Sequence, residues 1–156
     1  MLHPVLGGND SRMRISAKTR YAMSFMLDLA EHCDEGNIPM KDVAARQGIS
    51  KKFLEQVVAP LSDAGLLEVA RGSRGGYRLA KAPSDITLAE VVRASEDGLN
   101  LMDCIGQISV CMNEGSCTSH EVWGGMQNAI TDYLEGRSLA DVLEAVGGHC
   151  EPKECQ

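Results

Sequence analysis

Cys104, Cys111, Cys117 and His120 fall in one short stretch with the spacing C-x6-C-x5-C-x2-H. Three thiolates and an imidazole within seventeen residues make a donor set for tetrahedral metal, either iron in an iron-sulfur cluster or zinc. Gly106 and Gly115 lie between the donors and let a loop bend around them. Such a loop has no core of its own, so what precedes and follows it must hold it in place.

The 156 residues suffice for one good core, or for one head with an appended element, and one folding unit is expected. A mean hydropathy of -0.15 is that of a soluble globule, and no window approaches the apolar length of a spanning helix, so no membrane role is expected. Residues 1–12 lack the apolar core and cleavage site of an export signal. They read as a flexible leader, either an extension or residues upstream of a true start at Met13. With no export signal and three of six cysteines gathered beside a histidine, a reducing cytoplasm is expected, where cysteines are more often ligands, redox sensors or buried small apolar residues than bridges.

The net charge of -7 argues at first against a nucleic-acid partner, but it is unevenly spread. Residues 1–85 carry 12 Lys and Arg against 10 Asp and Glu, a balance of +2; residues 86–156 carry 3 against 12, a balance of -9. A basic-leaning first half can meet phosphate while the acidic half faces away.

The elements follow from periodicity. From Ser16 to about Cys33, Tyr21, Ala22, Phe25, Met26, Leu29 and Ala30 recur at helical steps. Gly36 and Pro39 stop that helix, and a short one follows over Met40 to Arg46. Gln47, Gly48 and Ile49 form a tight turn, and Ser50 caps a third helix with Leu54, Val57 and Leu61 on one face. This is a helix-turn-helix pattern, although any three-helix packing would use similar residues. Its reading end would carry Ser50, Lys51, Lys52 and Gln56. Pro60 inside the third helix removes a backbone donor at a cost of about 3 kcal/mol, which predicts a kink or break there.

Leu66 to Arg71 reads as a strand, Gly72 to Gly76 as a basic turn, and Tyr77 to Leu79 as a returning strand. Placed after a reading helix, this hairpin is a wing whose Arg71, Arg74 and Arg78 can reach phosphate or a narrow minor groove. A solvated surface hairpin is the plainer alternative. Thr87 and Glu90 have capping-box spacing for a helix to Ser95, ended by Gly98. Beyond the cysteine loop, Val122, Trp123, Met126, Ala129, Ile130, Tyr133 and Leu134 make a long apolar stripe ending near Gly136. Too little chain remains to bury that stripe, so it is expected to pack on the first helix and on a second copy, with Trp123 in core or interface. Ser138 and Asp141 cap one more helix to Val146.

These residues resemble a known family, the IscR-type winged-helix iron-sulfur cluster transcription regulators of bacteria. The likeness rests on M-R-I-S-A-K-T-R-Y-A at Met13 to Ala22, A-x-R-Q-G-I-S-x-x-x-L-E-Q at Ala44 to Gln56, R-G-x-x-G-G-Y-R-L at Arg71 to Leu79, and the ligand loop. It implies a mainly α fold with a small β-hairpin: a winged helix-turn-helix head plus a long dimerisation helix. The implied layout is a leader at 1–12, the DNA-binding head at 13–99, a cluster-binding loop at 100–120, dimerisation and C-terminal helices at 121–146, and a flexible tail at 147–156. It also implies a homodimer on a double-stranded, roughly palindromic DNA operator. Cys104, Cys111 and Cys117 would hold a 2Fe-2S cluster, with His120 as fourth ligand and zinc as the alternative occupant. Where the nitric-oxide-sensing NsrR branch supplies an acidic ligand from near its N-terminus, this chain has Arg20, which favours His120.

A sister branch of the CymR type regulates cysteine metabolism without a cluster, through thiols or an enzyme partner, and stands as the alternative function. No nucleophile and base pair, phosphate loop or paired carboxylates can be placed, so an enzyme is not expected. Cys33 is expected as a buried small residue; His149, Cys150 and Cys155 read as a flexible end or a second thiol group.

Overall fold

A computed structural model of the protein describes residues 15–96 and 118–147. Its organising helix is α1, Ala17–Glu31, started by Ser16, whose hydroxyl accepts from the Thr19 N–H. Ala22, Phe25, Met26, Leu29 and Ala30 are buried along one side of it, as their spacing predicts. A short 3-10 turn, Cys33–Glu35, and Gly36 lead the chain away. Helix α2, Met40–Gln47, ends at Gly48, whose φ of 65° takes the left-handed conformation that the tight turn requires. Helix α3, Lys51–Asp63, begins at Ser50, with its hydroxyl accepting from Phe53 N–H at 3.2 Å.

Pro60 does not break this helix, contrary to the expected interruption, and α3 runs on to Asp63. The proline sits in the final turn, so the donor it removes is the one that would have served the Gln56 carbonyl. Gln56 is exposed, and solvent can meet that carbonyl.

Strands β1, Leu67–Ala70, and β2, Gly76–Leu79, pair antiparallel with Leu67 opposite Leu79, Glu68 opposite Arg78, and Val69 opposite Tyr77. Ile38, just before α2, bridges β2 from its other side: its N–H donates to the Tyr77 carbonyl and its carbonyl accepts from the Tyr77 N–H, at 2.9 and 2.8 Å. That pairing fastens the hairpin to the helix-turn-helix.

Helix α4, Leu88–Ser95, starts with the Thr87 and Glu90 capping box and stops at Ser95 with Glu96 as its cap, before Gly98, which lies outside the described residues. Helices α5, His120–Glu135, and α6, Leu139–Ala145, close the described chain, and Ser138 with Asp141 forms the second predicted capping box. Thr87 and Ser138 are bridged, with Leu88 N–H donating to the Arg137 carbonyl and Leu139 N–H to the Ile86 carbonyl. Two helix starts are thus tied together by backbone.

One core joins α1 to α4, β1 and α6, with Leu139 and Leu143 buried beside the residues of α1. The long helix α5 leans on α4, and the place expected for it beside α1 is occupied by α6. Of its residues only Gln127 is buried; Trp123 is 37% exposed, Tyr133 55% and Val122 63%.

Candidate nucleic-acid interface and metal loop

The buried residues of α3, Leu54, Val57, Val58 and Leu61, fix which side of the helix faces out. Ser50, Lys51, Lys52 and Gln56 lie on that outer side and are all exposed. Ser50 spends its hydroxyl on the cap, and Lys51 approaches Glu55 at 4.0 Å. Glu55, also exposed, sets an acid among these candidate reading positions, which the sequence reading did not single out. Its charge and the burial of Tyr77 both raise the Tyr77 phenol pKa, burial having the larger part.

The wing is seated by Tyr77, which meets Phe25 of α1 edge to face with centroids 5.8 Å apart, and α1 meets α3 in the same way through Tyr21 and Phe53 at 5.4 Å. Its turn is closed by Gly75 N–H donating to the Gly72 carbonyl at 3.0 Å, with Gly72 at φ 105°. Arg71 and Arg74 are exposed and form no ion pair among the described residues. Arg78 differs: its Nε donates to Glu68 Oε2 at 2.6 Å and its Nη2 meets the same oxygen. Among the described residues, two of the three wing arginines are therefore without an ion-pair partner and the third is matched across the strands.

Arg46, in the last turn of α2, donates through Nε to both carboxylate oxygens of Asp28, at 2.9 and 3.0 Å. That bond is the main cause that raises the Arg46 pKa. Asp28 is buried on α1 and also faces His32 Nδ1 at 3.2 Å; the same nitrogen lies 2.8 Å from the Asp28 carbonyl oxygen. This clasp sets α2, and so the turn into α3, against α1. The sequence signals it only as an aspartate on the apolar side of a helix.

Of the metal donors, Cys104, Cys111 and Cys117 lie outside the described residues, as do His149, Cys150 and Cys155. His120 is the first residue of α5, is exposed, and makes no side-chain hydrogen bond among the described residues. Among those residues no three potential ligands gather into a metal site. Cys33 is half-buried and disulfide-bonded, which corrects its expected role as a buried small residue: it sits in the exposed 3-10 turn rather than on the core side of α1.

The two elements that flank the loop are linked. Arg93 on α4 pairs with Glu135 on α5. At the end of α4, Glu96 accepts from the Ser16 N–H at 2.8 Å, at the start of α1. Burial alone would raise the Glu96 pKa, but the Ser16 N–H and the hydroxyls of Thr19 and Ser16 outweigh it and the net direction is down.

The shape and the sequence both have relatives. A family model described as Rrf2, iron-dependent transcriptional regulator, matches residues 15–145. The HTH-type transcriptional regulator IscR of Aliivibrio salmonicida is 37% identical over 131 residues, spanning 84% of this chain and 77% of that protein. IscR of Photorhabdus laumondii is 38% identical over 131 residues, spanning 84% and 79%. Among solved structures, CymR (YrzC), the global cysteine regulator of B. subtilis, superposes with a TM-score of 0.75 at 30% identity, covering 85% of this chain and 97% of that one. T. potens IscR superposes with a TM-score of 0.71 at 32% identity, covering 92% and 93%. No helix among the described residues is long and apolar enough to cross a membrane. With a helix-turn-helix, a wing bridged to it, and a family match across the described elements, this chain belongs to the Rrf2 family of transcriptional regulators.

Proposed function

We propose that the protein is a cytoplasmic, non-enzymatic regulator that binds a duplex DNA operator as a homodimer, and that a 2Fe-2S cluster on Cys104, Cys111, Cys117 and His120 sets its affinity. The observation that carries this reading is the position of His120: the last donor of the cysteine stretch is also the first residue of α5, a helix whose Val122, Trp123 and Tyr133 are exposed among the described residues. A change at the loop would act directly on the element available for pairing. The likeness to IscR proteins supports the same reading.

Three thiols and an imidazole are the donor chemistry of such a cluster, and His120, the described member, is exposed with its ring engaged by no other described group. When bound, the cluster supplies an exchangeable redox centre of formal charge about -1, less negative than the about -2 of an all-thiolate site and so easier to reduce. Every other step falls to this chain. The three thiols must be deprotonated and His120 neutral to ligate, which makes occupancy depend on pH. The first two turns of α3 enter the major groove with Ser50, Lys51, Lys52 and Gln56, and the wing offers Arg71 and Arg74 to the backbone or the minor groove, with Arg78 beside them held by Glu68. Val122, Trp123 and Tyr133 on α5 face a second copy, which sets the distance between two reading heads.

The test is anaerobic isolation with iron, acid-labile sulfide and zinc measured per subunit, then DNA affinity before and after the metal is removed. About two iron and two sulfide per chain with an affinity change on removal is the expected result. Equal affinity and specificity of loaded and apo dimers would sink the sensing role. Zinc without sulfide would make the loop structural. A second reading has its own support in the likeness to CymR and in the Cys33 disulfide: a cluster-free regulator of cysteine metabolism working through thiols or an enzyme partner. Loss of all metal with regulation intact is its signature.

A further inference from the structure

We propose that Glu68 is a specificity-determining residue of the wing, holding Arg78 in a cross-strand pair and withholding it from sequence-independent attraction to DNA phosphate. The inference rests on the DNA-binding reading above. Arg71 and Arg74 stand exposed at the turn and unmatched among the described residues, while Arg78, on the adjoining strand, faces Glu68 in register. Arg78 Nε and Nη2 both go to Glu68 Oε2, so the edge of the guanidinium that would clasp a phosphate is occupied by a carboxylate. Both side chains are about half exposed, at 59% for Arg78 and 49% for Glu68, so a nucleic-acid phosphate can reach the pair and compete for it.

The consequence follows from how such proteins discriminate. Phosphate contacts strengthen binding to every sequence alike, whereas specificity is the ratio of operator to bulk binding. In a chain of net charge -7, the few free cations at the reading end decide the bulk term. Matching one wing arginine internally lowers that term without touching the base-reading turn of α3. The hairpin's stability does not require an arginine there, since Leu67, Leu79 and Tyr77 already seat it.

The experiment measures binding of the full-length wild type, Glu68→Gln, Arg78→Gln and the double variant to a mixed-sequence duplex of about 30 base pairs, across a salt series. Glu68→Gln is expected to bind about five- to ten-fold more tightly near 0.1 M salt, with a log-log salt slope steeper by about 0.9 for each wing engaged. The gain is expected to vanish in the Arg78→Gln background. Glu68→Thr, which keeps a strand-forming side chain, guards against a folding artefact and is expected to behave as Glu68→Gln does. Unchanged binding, a loss of affinity, or a gain that persists without Arg78 would each overturn the inference, the last because Glu68 would then act only as a repulsive charge. A wild type that fails to bind duplex at low salt would overturn the DNA-binding reading with it. Wild-type binding with an unaltered Glu68→Gln overturns this inference alone.

Discussion

At the scale of single residues, Gly76 is a position where the head has no room for a side chain. A Cβ built there would lie 2.5 Å from both the carbonyl carbon and the oxygen of Ile38, and the obstacle is backbone, which cannot swing aside. Gly76→Ala must push the hairpin off the bridge that fastens it to the helix-turn-helix. A loss of about 1–3 kcal/mol is expected, read by urea unfolding, together with weaker DNA binding because the wing no longer holds its place. Asp28 acts differently, through charge. Asp28→Asn keeps the shape but leaves Arg46 facing an amide; because the Arg46 side chain is 37% exposed it can turn to water, which limits the expected loss to about 1–2 kcal/mol. Wild-type stability in chemical denaturation of Asp28→Asn would show that the clasp does not hold α2.

At the scale of elements, helix starts carry the design. Thr87 and Ser138 each cap a helix through a complete capping box, and the backbone bridge between them joins α4 to α6. Thr87→Ala and Ser138→Ala are each expected to cost about 0.5–2 kcal/mol, and less than additively in combination because the two caps share that bridge. Thermal melts of the single and double variants measure both. The caps also set an acid limit. Glu90 is held below its ordinary value of 4.5 chiefly by the Thr87 N–H, and Glu96 is net lowered as described. A carboxylate whose folded pKa is depressed contributes stability that is complete above its unfolded value and is lost as the pH falls through the folded one. Stability is therefore expected to fall below about pH 4.5, and Glu96→Gln is expected to flatten that decline. An acid unfolding curve of the same steepness in Glu96→Gln would remove Glu96 from the account.

At the scale of the molecule, α5 leaves Val122, Trp123 and Tyr133 exposed among the described residues, and the proposed second copy would supply the surface that covers them. Trp123→Glu combined with Ile130→Glu is expected to give a species with the mass of one chain, 16.8 kDa, by light scattering, with the helix content of the head retained. A variant pair still at twice that mass would place the interface elsewhere. The polarity of charge belongs to this scale too, because the exposed cations Lys52, Arg71 and Arg74 lie on the reading helix and wing while acids crowd the later helices.

Much of this was legible in the chain. Helical periodicity placed α1 and α3, because one buried side of a helix repeats at three and four residues whatever it packs against. Gly48, Ser50, Thr87 with Glu90, and Ser138 with Asp141 announced their turns and caps, because those features are made within a few residues. The exposure of Ser50, Lys51, Lys52 and Gln56 followed from the same periodicity. What tertiary structure alone decided depends on residues far apart in sequence. Pro60 is tolerated in the final turn of α3, beside exposed Gln56, α6 rather than α5 fills the place beside α1, and Ile38 closes against β2. Asp28 meets Arg46 across two helices, Arg78 is matched by Glu68 across two strands, and Glu96 reaches back to Ser16. Short-range patterns determine which elements form; only packing determines which charged groups remain free to act, because a charge is neutralised by whatever the fold brings beside it.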